Sequence, residues 1–506
     1  MRYYLGLDNG GTRTKACIYT KEGEEISSAS CSTSMFARQP GYAEIDMQQM
    51  QETNYRVIKE VLEKSKINAK DIVGISVCGH GKGLYLVNKQ GKPARYGILS
   101  SDNRAWEYPL KWKADGTAEK VYGKTFQQIM APQAVCLLAY LKDTEPKSLE
   151  NLGWIFECKD YIRFILTGKA YAELTDYSGA NLVNLNTKQY DKDLLRLFDL
   201  EQFFLNLPPL VSSTDFCGAI TEDVARITGL EPGTPVYGGM FDIDACAIAL
   251  QVTDEQPICM IGGTWSINEF LSKKPIGDHT VAMTSIFCDT AYYLEEESSP
   301  TSAVNLEWCV KTLLQEFTQD CKQKGKDVYQ ELDTWIERIA DDDSYPLYFP
   351  FIMASNVHPN AKACFIGLSY YHTRPHLLKS VFEGVAFSHR YHLEKLLQGK
   401  STKTPNIRLA GGVVNSRPWV QMFADVMHFP IEVVSVKETG TLGCAMNIGV
   451  ATGDYENYQQ AAQAMVKVGK IIRPNKARQE FYDKRYQLYL QLLDTLDPFW
   501  DQIKNL

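Results

Sequence analysis

A glycine-hydroxyl pattern is written twice in this chain, as Gly10-Gly11-Thr12-Arg13-Thr14 and as Gly262-Gly263-Thr264-Trp265-Ser266. Each copy lies between two apolar runs of strand length, Tyr3 to Asp8 and Lys15 to Tyr19 around the first, Ile258 to Ile261 and Ile267 to Phe270 around the second. Each therefore predicts a β-hairpin with glycine at its tip. Residues without a Cβ let the main chain come close to a ligand, and successive N–H groups with a hydroxyl make a concave site for phosphate oxygens. Taken singly, either copy reads as a plain turn before it reads as a nucleotide site. The pair says more, because Thr12 and Thr264 stand about half of the 506-residue length apart, the spacing of a duplicated, two-lobed protein in which both tips grip one polyphosphate.

Such a length exceeds one ordinary core, so two large domains with a cleft between them are expected, 1–252 and 253–506. The boundary falls in the mostly polar stretch Gln251 to Pro257. A net charge of −8, with no basic stretch, disfavours nucleic acid and anionic membrane as partners. Arg2-Tyr3-Tyr4-Leu5 enters a strand directly, without the pattern of a secretory signal, and no apolar run approaches the length of a membrane span. The 13 cysteines are scattered without C-x-x-C spacing, which predicts reduced, buried thiols in a cytoplasm and no zinc site.

Hydrophobic periodicity predicts an α/β alternation in both halves. Strands are expected over 3–8, 15–20, 25–32 and 72–77, with a helix ending near Lys64. Helices follow at 133–142 and 156–167, then a turn-rich stretch at 175–181, the strand Val236 to Met240 and a small-residue helix from Ala245 to Leu250. In the second half a helix at 303–315, an acidic helix ending at 340–343, a loop at 347–356, and helices at 376–397 and 419–427 accompany strands at 407–410 and 431–434. The end, 476–506, reads as a charged, aromatic-rich helix.

Four places carry candidate chemistry. Asp242 follows Gly238-Gly239-Met240-Phe241 at a strand end where a helix begins, the usual place for a catalytic carboxylate in an open α/β sheet, and phosphoryl transfer needs a base there; Asp242 or Asp244 is equally well an ordinary helix N-cap. Gly79-His80-Gly81-Lys82-Gly83 follows a strand and sets polar side chains on glycine-flanked backbone, suited to a small polyol. Gly411-Gly412, between a strand and a helix, offers bare backbone to a flat base, with Asn415 at hydrogen-bonding reach of its edge. Asp8, closing the first strand, stands where hydrated Mg²⁺ is held beside a phosphate loop, or simply starts a turn.

In series, Gly6-Leu7-Asp8-Asn9-Gly10, Ile261-Gly262-Gly263-Thr264 and Leu409-Ala410-Gly411-Gly412 resemble the two phosphate motifs and the adenosine motif of the FGGY carbohydrate kinases. Phe365-Ile366-Gly367-Leu368, Glu383-Gly384-Val385-Ala386-Phe387 and Glu438 to Ala445 resemble further blocks of that family. Gly81-Lys82-Gly83-Leu84, Ile98 to Ala105, and Ser299-Pro300-Thr301-Ser302 with Asn305 to Trp308 are most similar to its L-xylulose kinase branch, which also handles 3-keto-L-gulonate. The resemblance implies a two-lobed actin-like ATPase (ribonuclease H-like) fold with the active site in the cleft, and ATP and Mg²⁺ as cofactors. It implies Asp242 as base and metal neighbour, Asp8 near the metal, His80, Gly81 and Lys82 on the sugar, and Gly10, Gly11, Thr12, Arg13, Gly263, Thr264, Gly411, Gly412 and Asn415 on the nucleotide.

Three departures from the family pattern stand out. Gly11 replaces a common Thr, putting the two triplets one residue out of step; His80 replaces the Gln of the branch; Ile243 replaces a polar residue after the base. The expected activity is phosphorylation of a primary hydroxyl on a small ketose or keto sugar acid, L-xylulose first, with D-xylulose, ribulose or an alditol as alternatives and a non-catalytic actin-like ATP-binding protein as the rival from another class. The expected partners are that sugar, no nucleic acid and no membrane, with a homodimer as the candidate assembly.

Overall fold

A computed structural model describes residues 2–340, 344–434 and 436–503. The chain forms two compact α/β units. The first holds residues 1–253, 271–295 and 436–467, and the second 254–270, 296–435 and 468–506. No helix among the described residues is long and apolar enough to cross a membrane.

The first unit is built on a twisted sheet in the order Phe216–Ala219, Pro235–Tyr237, Ile72–Gly79, Tyr3–Asn9, Arg13–Thr20, Glu25–Ser32, with Met240–Phe241 added beside Ile72–Gly79. Its two central strands are buried almost throughout, which explains why they read as continuous apolar runs rather than alternating ones. One face is covered by the helix Met47–Ser65, capped by the Asp46 carboxylate on the amides of Gln48 and Gln49. The helix Thr439–Ala451 belongs to the same unit. Its run of small residues has a packing reason: a Cβ on Gly443 would come to 2.3 Å from the Ala245 carbonyl oxygen, so glycine lets this helix settle against the backbone of the helix Asp242–Ala249.

The second unit repeats the plan. Its hairpin Ile258–Gly262 and Ser266–Ser272 is followed in the sheet by Ile407–Ala410, Ile431–Val434 and Val468–Ile472. The long helix Arg374–Gly399 supplies much of the core, including Val381, Val385 and Phe387.

Two local expectations change. The stretch 175–181 is largely helical, as Leu174–Gly179, because the Glu173 carboxylate accepts from the Thr175 amide and starts a turn there. Within 347–356 the residues Leu347–Phe349 form a strand paired with Cys364–Ile366. The acidic helix runs over Val328–Arg338, and its expected end at 341–343 lies outside the described residues. The terminal helix covers Lys476–Leu496 before short turns, and 504–506 also lie outside the described residues.

Candidate active site

In the first unit, sheet register decides which side chains meet. Tyr3–Asn9 and Met240–Phe241 both run parallel to Ile72–Gly79, with Asn9 and Phe241 each opposite Gly79. Three strands thus end at one level, and the next residues in the chain are Gly10, His80 and Asp242. This is the carboxyl edge of a parallel sheet, where ligands bind in open α/β folds.

Asp242 opens the helix Asp242–Ala249, and the N-cap position belongs to Phe241. Asp242 is therefore a first-turn residue, half-buried, at the positive end of the helix. Its strand is pinned by the Phe241 amide, which donates to the Thr175 hydroxyl at 2.8 Å. Asp244, one residue further inside, is fully buried and accepts from the Cys288 amide at 2.9 Å, a structural task.

Within the 79–83 loop the roles divide. The His80 amide donates to the Asn9 carbonyl at 3.0 Å. Its ring is 7% exposed, with Nε2 at 2.8 Å from the Tyr85 hydroxyl and Nδ1 at 3.3 Å from the Gly81 carbonyl. Burial pushes this imidazole down to about 4, so it stays neutral and its nitrogens are engaged within the loop. Lys82 sits in the left-handed region at φ 63°, a conformation that costs about 1 kcal/mol or more in a non-glycine residue and persists where surrounding contacts fix it. The next glycine is anchored by its amide to the Pro132 carbonyl at 2.7 Å.

Sequence reasoning passed over two acids beside this loop. Tyr85 pairs with Phe156, which brings Glu157 alongside the 82–84 segment. Glu157 is 1% exposed, and neither of its carboxylate oxygens has a hydrogen-bond partner among the described residues. Burial, then the charges of Asp176 and Asp160, push its acid well up, while Lys159 and Lys82 pull it back. Asp176 is bound by the Lys159 ammonium at 2.6 Å, and burial pushes its acid up to about 7. A Cβ on Gly81 would stand 3.0 Å from Asp176 Oδ1. The signal available in the sequence was weak, since Glu-Cys-Lys-Asp heads a helix and reads as a solvated helix start.

The first hairpin closes on Asn9 opposite Thr14, leaving Gly10, Gly11, Thr12 and Arg13 at its tip, with Thr12 and Arg13 exposed. Asp8, one residue inside, is half-buried, and desolvation pushes its acid up to about 6, with Lys15 lowering it and Glu438 raising it. Lys15 is itself held by Glu438 at 2.5 Å. A half-buried carboxylate carrying this desolvation cost is a hard oxygen donor of the kind Mg²⁺ accepts singly, its remaining positions being filled by water and phosphate. No group of three or more His, Cys, Asp and Glu among the described residues forms an all-protein metal cage.

In the second unit the hairpin closes on Gly262 opposite Ser266, so its tip is Gly263, Thr264 and Trp265. The first tip has one residue more. The triplets are therefore out of step when counted from the preceding strand, and Thr12 and Thr264 are in step when counted back from the following one.

This tip borders a cavity of about 670 Å³ lined by Gly263, Thr264, Gly412, Asn415, Trp419 and Tyr329, among others. A cavity of that size holds a nucleoside-sized ligand. Trp419 stacks on Phe382 with ring centroids 4.2 Å apart, making a rigid apolar wall. Asp333 accepts from the Ser416 hydroxyl at 2.6 Å on the polar side. Gly411 adopts φ 89°, and a Cβ there would lie 2.5 Å from the Gly262 carbonyl oxygen; the strand-to-helix turn is pressed onto the base of the hairpin, and only glycine permits it. Thus Gly263, Thr264, Gly411, Gly412 and Asn415 converge on one feature of the second unit, while Asp8, Gly10, His80 and Asp242 converge on one sheet edge of the first.

Comparison with known proteins gives the family. The N-terminal domain of the FGGY family of carbohydrate kinases matches residues 3–249, and its C-terminal domain matches residues 258–452. The chain is 34% identical over 505 residues to the L-xylulose/3-keto-L-gulonate kinase of Escherichia coli, covering 100% of this chain and 99% of that protein. It is also 34% identical over 497 residues to a probable L-xylulose kinase of Pasteurella multocida, covering 98% and 99%. The crystal structure of xylulose kinase from Rhodospirillum rubrum shares the fold, with a TM-score of 0.87 at 24% identity over 99% of this chain and 100% of that one. Two α/β domains of the actin-like ATPase fold, matched to the family over both halves, fix the class: the chain belongs to the FGGY family of carbohydrate kinases, phosphotransferases that take an alcohol group as acceptor.

Proposed function

We propose that this chain is an ATP-dependent L-xylulose kinase, phosphorylating a primary hydroxyl of that ketose or of a closely related keto sugar acid. The observation that carries the reading is the shared level of Asn9, Gly79 and Phe241 in the sheet, which sets Asp242 next to the 79–83 loop. The names and full-length similarity of the Escherichia coli and Pasteurella multocida relatives support the choice of sugar.

In this reading Asp242 accepts the proton of the substrate hydroxyl as its oxygen attacks the γ-phosphorus and the bond to the β–γ bridging oxygen of ATP breaks, leaving ADP and a sugar phosphate. Gly10, Gly11, Thr12, Arg13 and Thr264 donate to phosphate oxygens, and Gly263, its amide held by the Trp265 carbonyl, offers bare backbone beside them. Gly411, Gly412 and Asn415, with the Trp419 wall, receive the adenosine. Lys82 donates to sugar oxygens, while Gly81 supplies close backbone and His80 holds the loop shape. Asp8 and Asp242 are the carboxylates that would hold Mg²⁺, which when bound neutralises phosphate charge and orients the γ-phosphate.

A coupled ADP-release assay over ketopentoses, alditols and keto sugar acids tests the proposal. Highest kcat/KM with L-xylulose supports it. A higher value with D-xylulose, ribulose or an alditol replaces the sugar but keeps the mechanism, and nucleotide binding without sugar-dependent ADP release would reject it.

A further inference from the structure

His389 lies inside the long helix Arg374–Gly399 and is completely buried, yet every polar atom of its ring is used. Nδ1 stands 3.0 Å from Asn268 Oδ1 and 3.0 Å from the Ser266 hydroxyl. Nε2 stands 2.9 Å from the Ser302 hydroxyl. The Asn268 amide nitrogen donates to the Glu297 carbonyl at 3.2 Å, which turns its oxygen toward the ring. An amide oxygen only accepts, so Nδ1 carries the proton and Nε2 accepts from Ser302. Burial, and after it the nearby His392, push the imidazole down to about 3, keeping it in this neutral form.

The three partners of the ring surround the second glycine hairpin. Ser266 closes that hairpin opposite Gly262. The Ser302 amide donates to the Thr264 carbonyl at 2.9 Å, and the Ala303 amide donates to the Gly263 carbonyl at 2.8 Å. Ser302 is therefore bonded on its backbone to the hairpin tip and on its side chain to His389. The segment is held from its other side as well: Asn305 donates to Thr301 and to the Ser302 carbonyl, each at 2.8 Å, and accepts from the Tyr348 hydroxyl at 2.9 Å.

We infer that His389 is a positioning residue for nucleotide binding: its neutral ring joins Ser266 and Ser302 and thereby fixes the hairpin tip, where the Gly263 amide is held by the Trp265 carbonyl at 3.1 Å and the Thr264 amide and hydroxyl are the groups assigned to the phosphates. The inference rests on the assignment of that hairpin to phosphate. His389 touches neither nucleotide nor sugar. Its effect is on the free-energy cost of ordering the tip, which preorganisation removes in advance of binding.

Steady-state kinetics and ADP titration of the full-length enzyme test this with His389→Ala, His389→Gln, Thr264→Ala and the packing control Val385→Ala, one turn earlier on the same buried helix face. Loss of one positional hydrogen bond of about 1–1.5 kcal/mol corresponds to about a tenfold change in affinity. His389→Ala therefore raises the KM for ATP and the Kd for ADP about tenfold, with the sugar KM within about twofold. His389→Gln, whose amide offers one donor and one acceptor, recovers most of the loss. Val385→Ala lowers Tm without moving the KM for ATP.

An unchanged ATP KM in folded His389→Ala overturns the inference, as does an equal rise in Val385→Ala. Where the alanine variant does not fold, His389→Gln is compared with His389→Leu, which keeps volume but no polar atom; equal ATP KM in the two overturns the inference. Loss at Thr264→Ala with none at His389→Ala removes the role of His389 alone, whereas no loss at either removes the phosphate assignment of the hairpin.

Discussion

The amide of His80 donates to the carbonyl of Asn9 across 3.0 Å, so the loop assigned to the sugar and the hairpin assigned to phosphate leave the sheet as one hydrogen-bonded edge. Displacing either strand end shifts both. The His80 ring is kept neutral by burial and fixed by Tyr85, while the neighbouring Lys82 remains the side chain assigned to the substrate.

Lys82→Ala is predicted to raise the sugar KM about tenfold, the loss of one charge-assisted hydrogen bond, while leaving the KM for ATP unchanged. Steady-state kinetics with each substrate varied in turn check this. An unchanged sugar KM removes Lys82 from the site.

His80 supplies a pH dependence with a definite sign. Its folded pKa of about 4 lies below the ordinary 6.5, so between those values the unfolded chain binds the extra proton and stability falls as pH falls. Above pH 6.5 the contribution is fully present. The full span amounts to about 3 kcal/mol. Thermal melts from pH 7 to pH 4 should show a smaller loss of Tm in His80→Gln than in the wild type, and parallel curves would contradict the assignment.

Gly411→Ala combines a left-handed backbone with a Cβ 2.5 Å from the Gly262 oxygen. The expected cost is about 1–3 kcal/mol of stability, accompanied by a raised KM for ATP because the turn pushes on the hairpin. Calorimetry and ATP kinetics on the same variant test both parts, and a wild-type Tm would show that the turn does not press on Gly262.

Both hairpins, the α/β alternation and the strand-end position of Asp242 were legible in the sequence because each is a local pattern: apolar runs of strand length, a glycine tip, and an acid where a strand gives way to a helix. The level at which Asn9, Gly79 and Phe241 meet was not, since register is fixed by pairing between segments far apart in the chain. The helix at 174–179 was hidden by its Thr, Asp, Ser and Gly content, which favours turns locally; a buried Lys159–Asp176 ion pair and the Glu173 cap outweigh that tendency. Glu157 and His389 were missed for a related reason. Nothing in a single sequence tells a buried polar side chain from one on a solvated helix face.

The central claim is that Asp242 takes the proton of the attacking hydroxyl. The most direct measurement is single-turnover phosphoryl transfer from ATP to L-xylulose by wild type and Asp242→Asn, with ADP affinity measured on the same preparations. General-base catalysis contributes about 10²–10⁴ in rate, so transfer should fall by at least about 10² while the ADP Kd stays within about twofold. Transfer at the wild-type rate in Asp242→Asn would contradict the account.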